Sequence, residues 1–547
     1  MGRVGYPLVT SAAMSGTAPD LAAAAAAVDA AQSVVDRAAA HLAANGGIDP
    51  NQAVAYDLAH AASAVDGARA LLDYGAKGDV EGRITCAFAA DAVWDVASKI
   101  LGREAEWGVE PGVLDGAAMD FVRTFRSPAF LAGLAGEDGP RHLDSDFEMV
   151  QDTFRRFAED KVRPVAEHVH RHNEDIPEDI ISGLAEIGTF GLSVPEEYGG
   201  FAGGGESDYF GMVVATEELS RGSLGVAGSL ITRPEILTRA LVKGGTEEQK
   251  QEWLPRLASG EVMAAVAVTE PDYGSDAANV KVTAKKVDGG WQIDGVKTWC
   301  TFAARADALM LLARTDPDRS KAHRGLSIFI VPKPRGEGHG FAFTQDGTGG
   351  KMEGRAIDTI GYRGMHSYEV SFDGWVVPDD HLIGGEAGLG QGFYWQMAGF
   401  ENGRLQTAAR AIGVMQAAYE AARQYSEDRV VFGQPIGEYQ LTQVKLARMA
   451  VIIQAARQYA YAVGRLMAKG EGTLEAAMCK AYVCKAAEWV AREAMQIHGG
   501  MGYAEEYAVS RYFVDARVLS IFEGADETLC LKLIARRLLD SASAASK

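Results

Sequence analysis

Two apolar periods run through this chain, and they exchange only twice. From Leu21 to about Gly102, and again from Asp144 to about Gly260, apolar residues recur every three or four positions, as in amphipathic helices. At about Val262 the pattern changes. VKVTAKKV, WQIDG, ALMLLAR, LSIFIV and YEVSFDGWVV alternate or run apolar, are rich in Val, Ile and aromatics, and read as short strands. This stretch ends near Pro378, and from Gly388 the helical period returns in four or five long helices. Such a chain is α+β, mainly α, in the order helices, helices, a compact β domain, helices. Its 547 residues divide into a disordered tail (1–20) rich in Ser, Thr, Gly and Pro, then a helical domain with its linker (21–130), and three further blocks. Pro111, Pro128 and the run Gly133–Pro140 mark the linker. The blocks are helical (144–261, broken by the loop Pro195–Gly205), β (262–380) and helical (388–547). One internal echo stands out: Ala76–Ile100 resembles Ala468–Ile497, each a glycine-broken turn before a long Ala-rich helix with one Trp. Either duplication or the general likeness of Ala-rich helices accounts for it.

Composition removes several classes. The hydrophobic fraction of 47% and charged fraction of 23% are those of a globular protein. A net charge of -21 repels nucleic-acid phosphates and anionic membranes, while leaving room for a local basic pocket around a phosphorylated cofactor. The five cysteines are few, odd in number and without a CxxC, so reduced thiols, no metal site and a cytoplasmic location are expected. No run offers 18 apolar residues, and the first 20 residues lack the basic start and apolar core of a secretory signal.

Three clusters can carry chemistry. AVAVTEPDYGSD (265–276) leads into the β region, and Gly274-Ser275 offers backbone N–H groups and a hydroxyl to a diphosphate. Alone, such a turn is also an ordinary surface loop. In KTWCTFAARAD (297–307) the Trp299 indole can pack on a flat heteroaromatic ring, and Thr301 can reach that ring from the same strand face. Alone, it is also an ordinary half-buried strand. In VLSIFEGADET (518–528), Glu523 stands between an apolar run and a helix start. Desolvation there would raise its pKa, as suits a base that takes a proton from carbon, although a helix-initiating Glu has the same spacing.

TEPDYGSD, WCT, DRVVFG, QIHGG and FEGADE, in this order and spacing, resemble the acyl-CoA dehydrogenase family over about residues 145–540. The resemblance implies an α domain, a β-barrel and a C-terminal four-helix bundle, here with an extra N-terminal helical domain. FAD would lie between barrel and bundle, and Glu523 would be the base. Val266, Val268, Thr269, Gly274 and Ser275 would line the flavin and its diphosphate, with Trp299 and Thr301 against the ring system and Gly524 and Glu527 at the diphosphate and ribose. Arg429, Phe432, Gln440, Gln496, Gly499 and Gly500 would reach the FAD of a neighbouring subunit. Ser275, Phe400, Glu401 and Arg404 would border the substrate. The chain departs from the family pattern at Ala525, often Thr, and at Phe522, commonly Tyr. Some branched-chain members carry their base on the helix that here holds FENGRLQTAARAIG, where Gly403 occupies that place. Between Phe343 and Gly361 there are extra residues, expected as a longer loop.

The N-terminal extension, YRGMHSYEVSFDGW and FENGRLQTAARAIG look most like one branch of the family, the methylsuccinyl-CoA dehydrogenases of the ethylmalonyl-CoA route, which form mesaconyl-CoA. A dicarboxylic substrate needs a cation at the pocket end. SLITRPEILTRAL (229–241) should line that end and carries Arg233 and Arg239; Arg233 is the candidate, and solvated surface arginines are the alternative. A short or branched monocarboxylic acyl-CoA as substrate, and an oxidase in place of a dehydrogenase, both stay open. Glu523 argues against non-catalytic relatives, and the net charge against DNA-binding ones. The resemblance further implies an electron-transfer flavoprotein as acceptor. Residues 21–102, as a copied bundle, could cover the surface through which family members form tetramers, which predicts a homodimer.

Overall fold

The computed structural model describes residues 17–545; the first 16 residues of the predicted tail lie outside the described residues. The chain forms two compact units. One gathers the described residues up to Arg141 with Tyr419–Tyr459 and those from Ala535 onward. The other comprises His142–Ala418 and Ala460–Ile534.

In the first unit, the helices Leu21–Ala44, Gln52–Ala70 and Asp79–Ile100 pack through small residues. Asp20 caps the first by accepting from the Ala23 N–H at 2.9 Å. Ala24, Ala31, Ala38, Ala55, Ala59, Ala87 and Ala90 are all buried, so backbones approach closely. A Cβ on Gly75 would stand 2.7 Å from a Leu21 methyl, and one on Gly67 3.2 Å from the Tyr459 ring. These helices rest on the later segments of the same unit through polar ties. Asp66 accepts from the Tyr459 hydroxyl at 2.6 Å, Asp91 from Arg448 at 2.9 Å, and Asp138 from Arg423 at 3.0 Å. The helix Leu21–Ala44 also packs on Ala535–Ala545.

The second unit holds six helices of nine residues or more between Ser145 and Ala258, then an eight-stranded sheet, then further helices. The strands are β1 (Ala264–Ala267), β2 (Thr283–Val287), β3 (Gly290–Thr301), β4 (Ala308–Arg314), β5 (Leu326–Pro332), β6 (Gly340–Thr344), β7 (Lys351–Ile357) and β8 (Ser367–Pro378). Their order is β1-β4-β2-β3-β8-β7-β6, with β5 on the other edge of β4. Strand β4 is buried throughout, which is why ALMLLAR runs apolar instead of alternating. Behind it, Leu237, Leu241, Leu254 and Leu257 of the helices Arg233–Gly244 and Glu247–Ala258 close the core. Within the predicted longer loop between Phe343 and Gly361, the seven residues Lys351–Ile357 form β7, paired to β6 and β8. Its charged, Gly-bearing sequence KMEGRAI hid the strand; a Cβ on Gly354 would meet the Phe341 ring at 2.2 Å. The fold is the mainly α, α+β architecture expected, with a helical N-terminal region.

Candidate active site

The three sequence clusters converge in the second unit. Lys297 in β3 is fully buried and reaches back to the loop after β1, donating to the Val268 carbonyl at 2.8 Å and to Glu270 at 2.9 Å. Glu270 also accepts the Lys281 and Val282 N–H groups at 2.6 and 2.8 Å, and the Thr298 N–H donates to the Thr269 carbonyl at 2.8 Å. Glu270 and Lys297 were absent from the sequence-level candidates, although a lysine inside an apolar strand is a usable signal of burial with a partner. Together they hold the Gly274-Ser275 loop against the strand that carries Trp299 and Thr301. The register of β3 on β8 breaks between Lys297 and Cys300, and at that bulge Trp299 has φ 57° and is 54% exposed. A large residue in left-handed backbone is strained, and here the strain turns an indole outward. Thr301 shares a hydrogen bond with Ser367 at 2.9 Å.

The third cluster meets the first where Thr528 donates to the Ser275 hydroxyl at 3.0 Å. Lys480, buried on the helix Thr473–Ile497, donates to the Gly524 carbonyl at 2.6 Å, and burial pushes its pKa down. Glu523 lies just before Gly524 at φ 55°. Its Oε2 is buried and makes no hydrogen bond among the described residues. A Cβ on Gly403 would lie 3.0 Å from that oxygen, so the helix Gly392–Asp428 presents a glycine to the carboxylate. Tyr362 packs edge-on against Phe522 at 5.5 Å, and its buried hydroxyl has no hydrogen-bond partner among the described residues.

The other candidates fall as follows. Val266 is half-buried in β1, Val268 buried and Thr269 half-buried just beyond it. Gly274, Ser275, Gly524 and Glu527 are exposed, and Phe400, Glu401 and Arg404 are half-buried on the Gly392–Asp428 helix. Burial lowers the Arg404 pKa, with Glu401 and Glu523 acting against it, and its Nε has no hydrogen-bond partner among the described residues. Gln496, Gly499 and Gly500 are exposed. Arg429, Phe432 and Gln440 belong to the first unit and face solvent, Phe432 at 96%. Arg233 is buried, whereas Arg239 is partly exposed and bonded to Glu235 at 3.4 Å. A buried Arg410, absent from the sequence candidates, lies with its guanidinium 5.5 Å from the Phe522 ring centre. All five cysteines are buried and unbridged.

Comparison with known proteins gives the family. The N-terminal, middle and C-terminal domains of acyl-CoA dehydrogenase match residues 144–261, 265–375 and 390–539. The chain belongs to the acyl-CoA dehydrogenase family and is an oxidoreductase. Among its relatives it is similar to the (2S)-methylsuccinyl-CoA dehydrogenase of Cereibacter sphaeroides, 44% identical over 448 residues that cover 80% of this chain and 79% of that protein. A glutaryl-coenzyme A dehydrogenase solved with glutaryl-CoA superimposes with a TM-score of 0.66 at 30% identity, covering 73% of this chain and 96% of that one. A glutaryl-CoA dehydrogenase from Mycobacterium smegmatis, solved with FADH2, gives 0.64 at 26% identity, covering 75% and 98%. No helix among the described residues is long and apolar enough to cross a membrane.

Proposed function

We propose that the enzyme is an FAD-dependent dehydrogenase of short branched acyl-CoA thioesters, acting on (2S)-methylsuccinyl-CoA to give mesaconyl-CoA, with Glu523 as the base. The observation that carries this reading is the Glu523 carboxylate, buried at one oxygen, without a hydrogen-bond partner there and facing Gly403. A carboxylate oxygen without an internal partner is available to a substrate carbon, and Gly403 leaves the space in which that carbon can approach. A hydrogen beside a thioester is weakly acidic, so the carbonyl oxygen needs donors as charge develops. The Glu523 N–H makes no backbone hydrogen bond among the described residues and can serve as one.

The residues fit a dinucleotide. Side-chain atoms come no nearer than 4.0 Å to a Cβ placed on Gly274 or Gly524, and nothing lies within 4 Å of one on Gly499 or Gly500. Diphosphate and ribose can therefore approach the backbone, and Trp299 offers a flat face. Bound FAD would supply the hydride acceptor. Gly274, Ser275, Gly524 and Glu527 would hold its diphosphate and ribose, with Val266, Val268, Thr269, Trp299 and Thr301 along the flavin. The exposed Arg429, Phe432, Gln440, Gln496, Gly499 and Gly500 would complete the FAD site of a second copy. An electron-transfer flavoprotein would reoxidise the enzyme, in the cytoplasm.

A panel of acyl-CoAs mixed anaerobically with the purified yellow protein tests the reading. Bleaching by methylsuccinyl-CoA far faster than by butyryl- or isobutyryl-CoA is expected; comparable rates would favour a monocarboxylic substrate. Bleaching that persists in air marks a dehydrogenase, and rapid recovery with peroxide would mark an oxidase.

A further inference from the structure

The helix Thr473–Ile497 grips the loop that carries Glu523 at three points. Glu488 accepts from the Ser520 hydroxyl at 2.6 Å, Lys485 pairs with Asp526 at 3.5 Å, and Lys480 donates to the Gly524 carbonyl at 2.6 Å. The three ties differ in burial. The side chains of Lys485 and Glu488 are 47% and 34% exposed, so water weakens their ties, whereas Lys480 is 1% exposed. Burial lowers the Lys480 pKa; Cys484, Glu523 and Asp526 oppose that, and Arg404 adds to it. An ammonium kept out of water is costly unless it is held by an acceptor, and here that acceptor is the carbonyl next to the base.

The backbone there needs such a hold. Glu523 has φ 55° and Gly524 φ 99°. Left-handed backbone costs a glutamate about 1–2 kcal/mol, so it persists only where the surroundings impose it. Glycine adopts many conformations with equal ease and imposes nothing. The flanks are fixed: the Phe522 N–H donates to the Val518 carbonyl at 3.0 Å, and the Asp526 N–H to the Ser520 carbonyl at 3.1 Å. Between them, the N–H groups of Glu523, Gly524 and Ala525 make no backbone hydrogen bond among the described residues. The Gly524 carbonyl is the handle in this stretch. A charged donor holds it more strongly than a neutral one would, from a helix of 25 residues that does not itself bend with the loop.

We infer that Lys480 is a positioning residue for the base: its bond to the Gly524 carbonyl selects the backbone conformation that keeps the Glu523 carboxylate against Gly403. The inference rests on the reading of Glu523 as the base given above. Without the bond, the left-handed turn is free to relax and the carboxylate leaves the glycine face. Lys480 therefore acts on the reaction through Glu523 alone.

The test is a double-mutant cycle on flavin reduction, read by rapid anaerobic mixing of FAD-loaded enzyme with saturating methylsuccinyl-CoA. Butyryl-CoA is run alongside, so that the comparison does not depend on which acyl group the site prefers. Methionine keeps the volume of Lys480 and removes its charged donor. Lys480→Met should reduce flavin about 100-fold more slowly, as a base displaced by about 1 Å would. Its Kd for FAD, from fluorescence titration, and for the thioester should be unchanged. Lys480→Arg, which keeps a charged donor, should recover part of the rate. Added to Glu523→Gln, Lys480→Met should slow reduction no further, because the group it positions is already gone. If Lys480→Met does not hold FAD, Lys480→Gln, which loses the charge and keeps a donor, enters the same cycle with a smaller loss expected. Reduction at the wild-type rate in the Lys480 variants, or losses that multiply in the double variant, would overturn the positioning role and leave Glu523 as the base. Reduction at the wild-type rate in Glu523→Gln would sink the base reading itself.

Discussion

Glu523 holds a φ of 55°, a conformation that costs an L-residue about 1–2 kcal/mol and glycine almost nothing. A strained, half-buried carboxylate without an internal partner at Oε2 is a group kept for chemistry, since packing alone would favour relaxing it. The Lys297–Glu270 pair is the opposite case: both charges are buried and both are satisfied. Lys297→Met would strand Glu270, so a loss of about 3–5 kcal/mol is expected, with a lower melting temperature and loosened flavin. His170 is buried among Arg171, Arg511 and Arg363, with Glu167 opposing, and burial chiefly pushes its pKa down to about 4 from 6.5. The folded state then takes up this proton later than the unfolded chain, so the stabilising contribution is complete above pH 6.5 and is lost as pH falls toward 4. Melting curves should drop over that window, and less steeply in His170→Gln; parallel curves would refute the assignment. Glu523 and Trp299 were legible in the sequence because each stands among diagnostic neighbours. Arg410 was not: between alanines in TAARAIG it reads as a solvated helix arginine, and only tertiary packing buries it.

Gly403 shows how an element serves the site. Mid-helix glycine costs roughly 0.5–1 kcal/mol relative to alanine, yet a Cβ there would lie 3.0 Å from the Glu523 oxygen. Gly403→Ala should therefore melt no lower than wild type while substrate-driven flavin reduction slows about tenfold or more, because the carboxylate is displaced. Unchanged reduction would mean that the helix does not set the position of the base. The strands were readable from their alternation, and β4 from a continuous apolar run. Two details were not. The bulge between Lys297 and Cys300, which turns Trp299 out, depends on the register against β8. Strand β7 carries a sequence that is loop-like until its pairing on both edges is known.

At the scale of the whole molecule, the N-terminal helices cover residues of Tyr419–Tyr459 and Ala535–Ala545 within one compact unit. Surface hidden inside a chain is unavailable to a second copy and avoids the cost of association. A homodimer of about 116 kDa, twice the 58.2 kDa chain, is expected from light scattering; a mass twice that would refute the covering role. Deleting residues 1–130 should expose this surface and drive further assembly or aggregation. The order helices, helices, sheet, helices was visible in the sequence, but the grouping of the first helices with the ends of the last ones was not, since no local pattern encodes it. The central claim is that Glu523 takes the substrate proton, and rapid anaerobic mixing of the FAD-loaded Glu523→Gln enzyme with methylsuccinyl-CoA tests it most directly. The variant should keep its flavin and bind the thioester, yet reduce the flavin at least ~10²–10⁴-fold more slowly than wild type. Reduction within tenfold of the wild-type rate would contradict the assignment and return the search to Glu401.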